Sequence, residues 1–460
     1  MRVADPAEAV DATAATEESV DREQKARARN SVIYGSSGTV IEWFDYGLYL
    51  YLVPVVSPLF FPSSDPIFSV LATLGVFAAG SVLRVAGGAF YGSIGDRLGR
   101  KRALVLSIVL MTVPMVFMAV LPTYAAIGIA APILFTVMRM VQGFSAGGEY
   151  SGAMVQLVEQ APPKRRGFVT GSVVLTSGIG ILLASVSVLI MRNVLDPAQI
   201  SDWGWRVLYL FGGVLGLFAL LMRRRMMESE AFEKEQEEGN APKQPLRYAF
   251  RYLAKPIAIT AIIAGYGNLL YFVIVGFVPD ILEEYSPIDD RETFLVVTLM
   301  TALFAFATPF FGLWSDKVGR KPLMIAGTIG YVTFAIPLLW VFSFDPLIWA
   351  VFAGIVALFF LMLFYGPLMA VVGEQFPSRA RYSALATGYN IGSGIIGGTA
   401  PLVAAWTITA FGTPVAPAYF LILASIVTLP FVIRLRETRG ISLEELDAAA
   451  PQAEWDSATR

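Results

Sequence analysis

The 460-residue sequence contains no cysteine and no histidine. Without cysteine the chain has no disulfide framework, no thiolate nucleophile and no cysteine metal site. Without histidine it lacks the usual proton shuttle and the commonest protein metal ligand. We therefore expect no metal site and no cofactor, and any proton transfer must depend on carboxylates.

Charged residues are scarce as well. Asp, Glu, Lys and Arg make up 15% of the chain, whereas 56% of its residues are apolar; soluble domains average about 25% charged residues. This composition excludes a disordered protein, a nucleic-acid binder and an ordinary soluble enzyme. The sequence also lacks a G-x-x-x-x-G-K-[ST] loop, so we do not expect a nucleotide-driven pump.

The sequence is instead rich in long apolar runs. A membrane-spanning helix needs about 20 mostly apolar residues, and the chain has room for twelve such runs with short connections. The predicted spanning helices lie near residues 32–60, 68–91, 103–121, 127–158, 167–191, 204–223, 254–282, 293–314, 322–343, 347–374, 383–410 and 416–435.

The loop charges predict the orientation. When both termini are placed inside, the inner loops and tails hold 29 of the 34 Lys and Arg residues, and the outer loops hold three. Positive residues accumulate on the cytoplasmic side of membrane proteins. The sequence therefore predicts a multi-pass membrane protein with both termini in the cytoplasm. We expect its membrane to be the bacterial cytoplasmic membrane.

Two pairs of motifs show that the halves of the chain repeat. Residues 92–101 (GSIGDRLGRK) match residues 312–321 (GLWSDKVGRK), and residues 159–166 (EQAPPKRR) match residues 374–381 (EQFPSRAR). Duplicated carriers bind substrate between their halves, near the membrane midplane. The predicted organisation is a disordered cytoplasmic tail at 1–30, six-helix bundles at 31–223 and 254–436, a cytoplasmic linker at 224–253 and a cytoplasmic tail at 437–460.

The repeated loops predict an inner latch that holds one access state and breaks in the other. Their glycines permit a tight turn, and a carboxylate at a helix end can cap free backbone N–H groups. Arg97, Arg100, Lys101 and Arg102 are expected to face the cytoplasm. The alternative is a plain positively charged loop without a latch. The candidate latch residues are Gly92, Asp96, Arg97, Gly99, Arg100, Asp316, Lys317, Gly319 and Arg320, together with Glu159, Arg166, Glu374 and Arg381.

Five ionisable residues fall inside predicted spans, where such groups are costly and usually functional. A rise of 1.5 Å per residue groups Glu42 and Asp45 with Arg139, and Arg84 with Glu149. We interpret Asp45 or Glu42 as the proton carrier and Arg139 as the substrate anchor; the alternative is a static ion pair. We interpret Arg84 and Glu149 as a buried pair with either a gating or a purely structural role.

Amide and aromatic residues are the remaining candidate substrate ligands. Amides and tyrosines supply hydrogen bonds in an apolar cavity, and aromatic faces suit a quaternary ammonium group, although ordinary packing explains each residue equally well. One clear arginine at mid-depth favours a monocarboxylate or a zwitterion over a dicarboxylate or tricarboxylate. These candidate ligands are Gln142, Trp43, Tyr46, Asn268, Tyr271, Tyr389 and Asn390.

The motifs also resemble a known family. The repeated pattern G-x-x-x-D-[RK]-x-G-R-K is similar to that of the major facilitator superfamily, over roughly residues 31–436. Residues 38–46 (GTVIEWFDY), 139–149 (RMVQGFSAGGE) and 228–232 (ESEAF) resemble the metabolite:H+ symporter family, which includes carriers of shikimate, 2-oxoglutarate, citrate, and proline or glycine betaine.

The resemblance implies an all-α membrane protein with twelve transmembrane helices in two pseudo-symmetric six-helix bundles. It implies proton-coupled import of a small organic acid or zwitterion by alternating access, with the proton as coupling ion. The expected partners are the substrate, the proton and the lipid bilayer, without nucleic acid, and the expected working unit is a monomer. The alternatives are a proton-coupled exporter of drugs or metabolites, a dicarboxylate or tricarboxylate symporter and a non-transporting nutrient receptor; an enzyme is not expected.

Overall fold

The computed structural model describes residues 26–27, 29–238, 244–285, 290–342 and 347–448. These residues form helices joined by short connections, and none of them lies in a β-strand. Most of the predicted N-terminal tail and the last part of the C-terminal tail lie outside the described residues.

Twelve long helical segments account for most of the described chain, and the ends of the twelve predicted spans fall within seven residues of theirs. They are α1 (Ser37–Phe60), α2 (Pro66–Leu98), α3 (Arg100–Val120), α4 (Ala130–Gln160), α5 (Arg166–Val194), α6 (Trp205–Arg224), α7 (Ala254–Tyr271, Phe272–Phe277 and Val278–Tyr285), α8 (Asp290–Val318), α9 (Arg320–Val341), α10 (Leu347–Glu374), α11 (Arg381–Ile391, Gly392–Gly397 and Ala400–Phe411) and α12 (Pro417–Arg434).

Ten of the helices in the described residues are long and apolar enough to cross a membrane. Helices α1 and α4 are absent from that set, and they carry Glu42, Asp45, Arg139 and Glu149. Four of the five charged candidates therefore lie on the two long helices outside that set, and Arg84 lies on α2. The chain is an integral membrane protein.

Between α6 and α7 the chain forms two short helices, Glu230–Glu237 and Pro245–Tyr252. They separate the N-terminal bundle (α1–α6) from the C-terminal bundle (α7–α12). The side of the molecule that carries residues 92–102 and 312–321, predicted to be cytoplasmic, is called the inner side below.

The two bundles share packing on the inner side. One apolar cluster belongs to the N-terminal bundle alone. The other is built mainly from the C-terminal bundle, yet it includes Tyr150, Met154 and Leu157 from the inner half of α4. Buried apolar contact between the bundles therefore lies in their inner halves.

Helices α7 and α11 each contain one π-helical turn, Phe272–Phe277 and Gly392–Gly397. Such turns shift the side-chain register of a helix and occur frequently at functional sites. The candidate ligands Asn268 and Tyr271 directly precede the first turn, and Tyr389 and Asn390 precede the second. Candidate residues of the C-terminal bundle thus lie where its helices depart from regular geometry.

Candidate functional site

Asp45, Arg139 and Gln142 form a hydrogen-bonded triad between α1 and α4. Arg139 Nη1 donates to Asp45 Oδ2 over 2.7 Å and to Gln142 Oε1 over 2.8 Å, and Gln142 Nε2 donates to Asp45 Oδ1 over 2.8 Å. The guanidinium also lies 4.1 Å from the ring centroid of Tyr49. All three triad side chains are buried. The predicted contact between Asp45 and Arg139 is therefore present, and it lies within the N-terminal bundle.

Arg84 of α2 is paired with Glu42 of α1. Its Nη1 atom lies 2.8 Å from Glu42 Oε1 and 3.2 Å from the hydroxyl oxygen of Tyr46. Its Nε atom donates over 2.8 Å to Oδ1 of Asn390, which belongs to α11 in the other bundle. Arg84 is therefore a cation at the boundary between the bundles.

Glu149 is paired with Arg223 at the end of α6, and both side chains are fully buried. Ser107 donates to Glu149 Oε2 over 2.6 Å. Arg223 also donates to the carbonyl oxygens of Leu104 and Gly35, over 2.7 Å and 2.8 Å. The pair joins α4 and α6 to α3 and to the segment before α1.

The predicted pairing of Arg84 with Glu149 was therefore wrong, and so was the grouping of Glu42 with Arg139. Depth along a helix gives only one coordinate, and the side chains of Arg84 and Glu149 point to different neighbouring helices. Sequence reasoning also missed Arg223, because it begins a run of three arginines that was counted as an inner loop. Its spacing offers a signal, since it continues the buried stripe of α6 formed by Gly212, Gly216 and Ala219.

Aromatic side chains from both bundles meet beside the Glu42–Arg84 pair. The rings of Tyr150 and Tyr389 stack with centroids 5.3 Å apart. Trp43 lies edge-on to Tyr150 and to Tyr271, each at 6.2 Å, and 6.0 Å from Tyr46. We call Trp43, Tyr46, Tyr150, Tyr271 and Tyr389 the aromatic box. It brings together α1, α4, α7 and α11.

Tyr150 was missed from the sequence. It lies eleven residues after Arg139 on α4, which is close to three full turns, so the two residues share a helix face. That spacing was available as a signal. The candidates Trp43, Tyr46, Tyr271 and Tyr389 do lie together.

The three candidate amides have different surroundings. Gln142 belongs to the triad, where it bonds Arg139 and Asp45. Asn268 borders the aromatic box, because its side chain is 3.5 Å from the hydroxyl oxygen of the box residue Tyr389. It is also 3.5 Å from the hydroxyl oxygen of Tyr365. Asn390 contacts Arg84 and, through Nδ2, the carbonyl oxygen of Gly147 over 2.8 Å.

The inner latch consists of two related carboxylate contacts. Asp96, at the end of α2, accepts hydrogen bonds from the backbone N–H groups of Tyr382 and Ser383, over 3.2 Å and 2.8 Å, at the start of α11. Asp316, at the end of α8, accepts from Gly167 and Phe168, over 2.8 Å and 3.0 Å, at the start of α5. Each bundle therefore caps a helix of the other, and a carboxylate is favourable at a helix N-terminus.

Buried arginines surround the latch carboxylates. Arg100 and Arg381 each lie 3.0 Å from Glu159. Arg166 and Arg320 lie 2.9 Å and 3.2 Å from Glu374. The two clusters occupy matching positions in the two halves.

The prediction that the basic residues of the first loop face the cytoplasm was wrong for Arg100, which is 1% exposed. Arg97 and Lys317 are exposed, and neither forms an ion pair with another described residue. The glycines have distinct roles. Gly99 and Gly319 have φ angles of 107° and 119°, which favour glycine, and Gly92 packs against the backbone of Ser383.

Glu228 and Glu437 complete the latch and were missed as site residues. Glu228 accepts from the backbone N–H of Arg100 over 3.0 Å, and Glu437 accepts from that of Arg320 over 3.0 Å. Burial raises the pKa of the Glu228 carboxyl above its ordinary value, although the N–H of Ser229 and the charge of Arg100 oppose that effect. The repeated Glu-Ser and Glu-Thr pairs after α6 and α12 were the available signal.

These contacts close the space between the bundles on the inner side. The inner latch seals its rim, and Asn390 and Tyr382 of α11 bond the backbone of α4 at greater depth. We call the latch and these two α11 contacts the inner closure. Arg84 and the aromatic box adjoin it, since Arg84 donates to Asn390 and the box residue Tyr389 directly precedes Asn390 on α11.

Comparison with protein families gives two matches. The family described as "Major Facilitator Superfamily" matches residues 36–288, and the one described as "Sugar (and other) transporter" matches residues 224–450.

Curated relatives align along nearly the whole chain. A proline/betaine transporter of Escherichia coli strain K12 is 30% identical over 439 residues, which cover 92% of this chain and 86% of that protein. A putative proline/betaine transporter of Staphylococcus aureus strain COL is 32% identical over 435 residues, which cover 93% and 92%. A glycine betaine/proline/ectoine/pipecolic acid transporter of Dickeya dadantii is 30% identical over 436 residues, which cover 92% and 86%.

Solved structures share the fold at low sequence identity. The proton:xylose symporter XylE bound to 6-bromo-6-deoxy-D-glucose superposes with a TM-score of 0.78 at 16% identity, and the alignment covers 93% of this chain and 100% of that one. The inward-open conformation of XylE from Escherichia coli gives a TM-score of 0.62 at 20% identity, over 91% and 98%. The relatives are transporters rather than enzymes, in agreement with the sequence-based expectation. The chain belongs to the major facilitator superfamily of membrane transporters.

Proposed function

We propose that this transporter imports a small zwitterion or monocarboxylate together with a proton, by alternating access. The observation that carries the proposal is the position of Arg84. It is a buried cation at the boundary between the bundles, next to an aromatic box that both bundles build. A carboxylate would bind the guanidinium, and an apolar or quaternary ammonium group would lie against the rings.

The charge balance supports a substrate with one carboxylate. Arg139 and Arg223 each have a carboxylate partner inside the N-terminal bundle. Arg84 is the arginine of these three that also reaches the other bundle. This moves the substrate anchor from Arg139, the residue favoured by sequence reasoning, to Arg84. The Escherichia coli relative is named a proline/betaine transporter, and proline and betaine are zwitterions with one carboxylate.

Glu42 fits the role of proton carrier better than Asp45. Both oxygens of Asp45 accept short hydrogen bonds within the triad. Glu42 has its ion pair with Arg84, yet neither of its oxygens has a hydrogen bond of good geometry from a described residue. Protonation of Glu42 therefore disturbs fewer contacts, and it frees Arg84 for the substrate carboxylate. A proton and an anion would then enter together.

Orientation, location and assembly complete the proposal. The loop charges favour cytoplasmic termini in a bacterial cytoplasmic membrane, and the relatives named above are bacterial. The proton is the coupling ion, without a cofactor, and the monomer is the working unit. With the inner side closed, alternating access would admit substrate to the site from outside.

Uptake into proteoliposomes with an imposed inward proton gradient tests the proposal. The panel holds proline, glycine betaine, shikimate, a simple aromatic acid, 2-oxoglutarate and citrate. We expect accumulation of a compound with one carboxylate that collapses on addition of a protonophore. Glu42→Gln should equilibrate the same compound without accumulating it, whereas the exposed-site control Arg97→Ala should behave as the wild type.

Other outcomes would overturn parts of the proposal. Accumulation of citrate or 2-oxoglutarate alone would contradict the one-carboxylate argument. Exit of preloaded compounds as protons enter would indicate an exporter. Stoichiometric retention without turnover would indicate a receptor. Proton-driven accumulation by Glu42→Gln would assign the coupling to another carboxylate.

A further inference from the structure

Asn390 joins the Glu42–Arg84 pair to the inner closure. It belongs to α11 of the C-terminal bundle, but its amide is surrounded by N-terminal helices and is fully buried. Its Oδ1 atom accepts from Arg84 Nε over 2.8 Å, and its Nδ2 atom donates to the carbonyl oxygen of Gly147 over 2.8 Å. One side chain thus contacts both the charged site and the backbone of α4.

The surrounding helices are shaped to admit this amide. Gly88 of α2 lies directly against Nδ2, and a Cβ atom at Gly88 would collide with it. The second N–H of the amide donates to Ala386 within α11 over 2.8 Å. The side-chain amide of Asn390 therefore has all its hydrogen-bond partners at once only while α11 packs against α2 and α4.

Arg84 presents different edges of one guanidinium to its two partners. Nη1 faces Glu42 and Tyr46, and Nε faces Asn390. Ionised Glu42 therefore fixes the guanidinium in the orientation from which Nε reaches α11. A substrate carboxylate binding through Nε would compete directly with the amide oxygen of Asn390.

We propose that Asn390 is the positioning residue through which Arg84 controls the inner closure. While Glu42 holds Arg84, the Nε–Asn390 bond seats α11 and keeps the inner side closed. Neutral Glu42 releases Arg84, the bond is lost, and α11 separates more readily from α4. Only the substrate-competition step rests on the proposed function; the link between Glu42 and the closure rests on the contacts alone.

Tyr382 provides a matched control on the same helix. Its hydroxyl donates to the carbonyl oxygen of Gly148 over 2.7 Å, so it is a second buried side-chain bond from α11 to α4. It does not contact Arg84. Tyr382→Phe and Asn390→Ala therefore both remove hydrogen bonds between α11 and α4. Only Asn390→Ala also removes the bond to Arg84, through which Asn390 is linked to Glu42.

Labelling of an introduced cysteine measures the closure without any substrate. The natural chain has no cysteine, and Ser383 is a suitable reporter because it is buried at the inner latch and its hydroxyl has no hydrogen-bond partner among the described residues. The S383C protein is reconstituted in lipid nanodiscs and its maleimide labelling rate is measured. The rate is compared for Glu42→Gln, Asn390→Ala, Tyr382→Phe and the two double variants with Glu42→Gln.

The proposal predicts non-additive effects. Loss of one charge-assisted bond corresponds to roughly a tenfold change, so Glu42→Gln and Asn390→Ala should each accelerate labelling about tenfold. In the Asn390→Ala background Glu42→Gln should add less than about twofold, whereas in the Tyr382→Phe background it should add its full effect. Full addition in both backgrounds, or no effect of Glu42→Gln alone, would overturn the proposal. The result does not depend on which compound is carried.

Discussion

The two bundles have nearly the same inner latch but very different interiors. At the latch, Asp96 and Asp316 cap helices of the opposite bundle, and Glu159 and Glu374 each bind two arginines. Deeper in the membrane, the N-terminal bundle contains three carboxylate–arginine pairs. In the described residues of the C-terminal bundle, the same depth is occupied by hydroxyl and amide groups.

The difference indicates a division of labour between the repeats. Both halves must open and close, so both retain the latch. Charge at mid-depth is costly, and it is confined to the half in which every carboxylate has its own arginine. The C-terminal half supplies aromatic faces, amides and the moving contacts of α11. The following predictions test how far the two halves differ, beginning with the largest effect.

The Glu149–Arg223 pair should be the most important for stability. Breaking a buried ion pair by removing one partner costs about 3–5 kcal/mol, because the other charge remains buried and unpaired. Glu149→Ala should therefore lower the thermal unfolding temperature strongly in detergent. Glu149→Gln combined with Arg223→Met should recover most of that loss. If the double variant is no more stable than Glu149→Ala, the pair has a role beyond charge compensation.

Arg84 should be the most important residue for uptake. Removing one partner of a buried, hydrogen-bonded charge contact costs about 2–5 kcal/mol, so Arg84→Ala should reduce uptake at least about 30-fold. Part of that effect could come from leaving Glu42 buried and unpaired. Arg84→Ala with Glu42→Gln removes both charges, so it should restore thermal stability while uptake stays lost. Recovery of uptake in the double variant would remove Arg84 from the substrate site.

The symmetry of the latch can be tested with small substitutions. A Cβ atom at Gly92 would lie 2.6 Å from Cα of Ser383, and one at Gly312 would collide with the backbone of Gly167. Gly92→Ala and Gly312→Ala should each weaken the closed inner side by about 1–3 kcal/mol through overpacking. Both should accelerate labelling of the S383C reporter. Gly75→Ala is the control, because nothing lies within 4 Å of its added Cβ.

Unequal effects of Gly92→Ala and Gly312→Ala would show that the two halves of the latch have diverged as their interiors have. Equal effects would support a latch that opens as one unit. Labelling after Gly75→Ala should match that of the unsubstituted reporter protein.

The sequence predicted features that depend on composition and linear spacing. Apolar length located the twelve helices, and the repeated loops located Asp96 and Asp316. Asp45 on α1 and Arg139 on α4 have similar estimated depths in the membrane. This similarity predicted their contact, because residues at similar depth on neighbouring helices can meet. These predictions needed no information about how each helix is rotated.

The wrong pairing of the buried charges concerns rotation and helix neighbours. Arg84 and Glu149 have similar predicted depths, but α2 directs Arg84 toward α1 and α11, and α4 directs Glu149 toward α6. The role of Asn390 was not visible either, because its partners lie more than 200 residues away in the chain. Such contacts depend on which helices pack together, and periodicity within one helix does not specify this.

The smallest expected effect separates two arginines that the sequence treats alike. Arg97 and Arg100 belong to the same loop motif, but Arg97 is exposed, whereas Arg100 is buried against Asp96 and Glu159. Exposed substitutions away from special features usually change stability by less than about 0.5 kcal/mol. Arg97→Ala should therefore change uptake and S383C labelling less than about twofold, and Lys317→Ala should match it in the second repeat. Arg100→Ala removes a cationic partner from the buried carboxylates of Asp96 and Glu159. It should therefore accelerate S383C labelling by much more than about twofold. A large effect of Arg97→Ala would mean that the motif acts through surface charge as well as through the buried contacts.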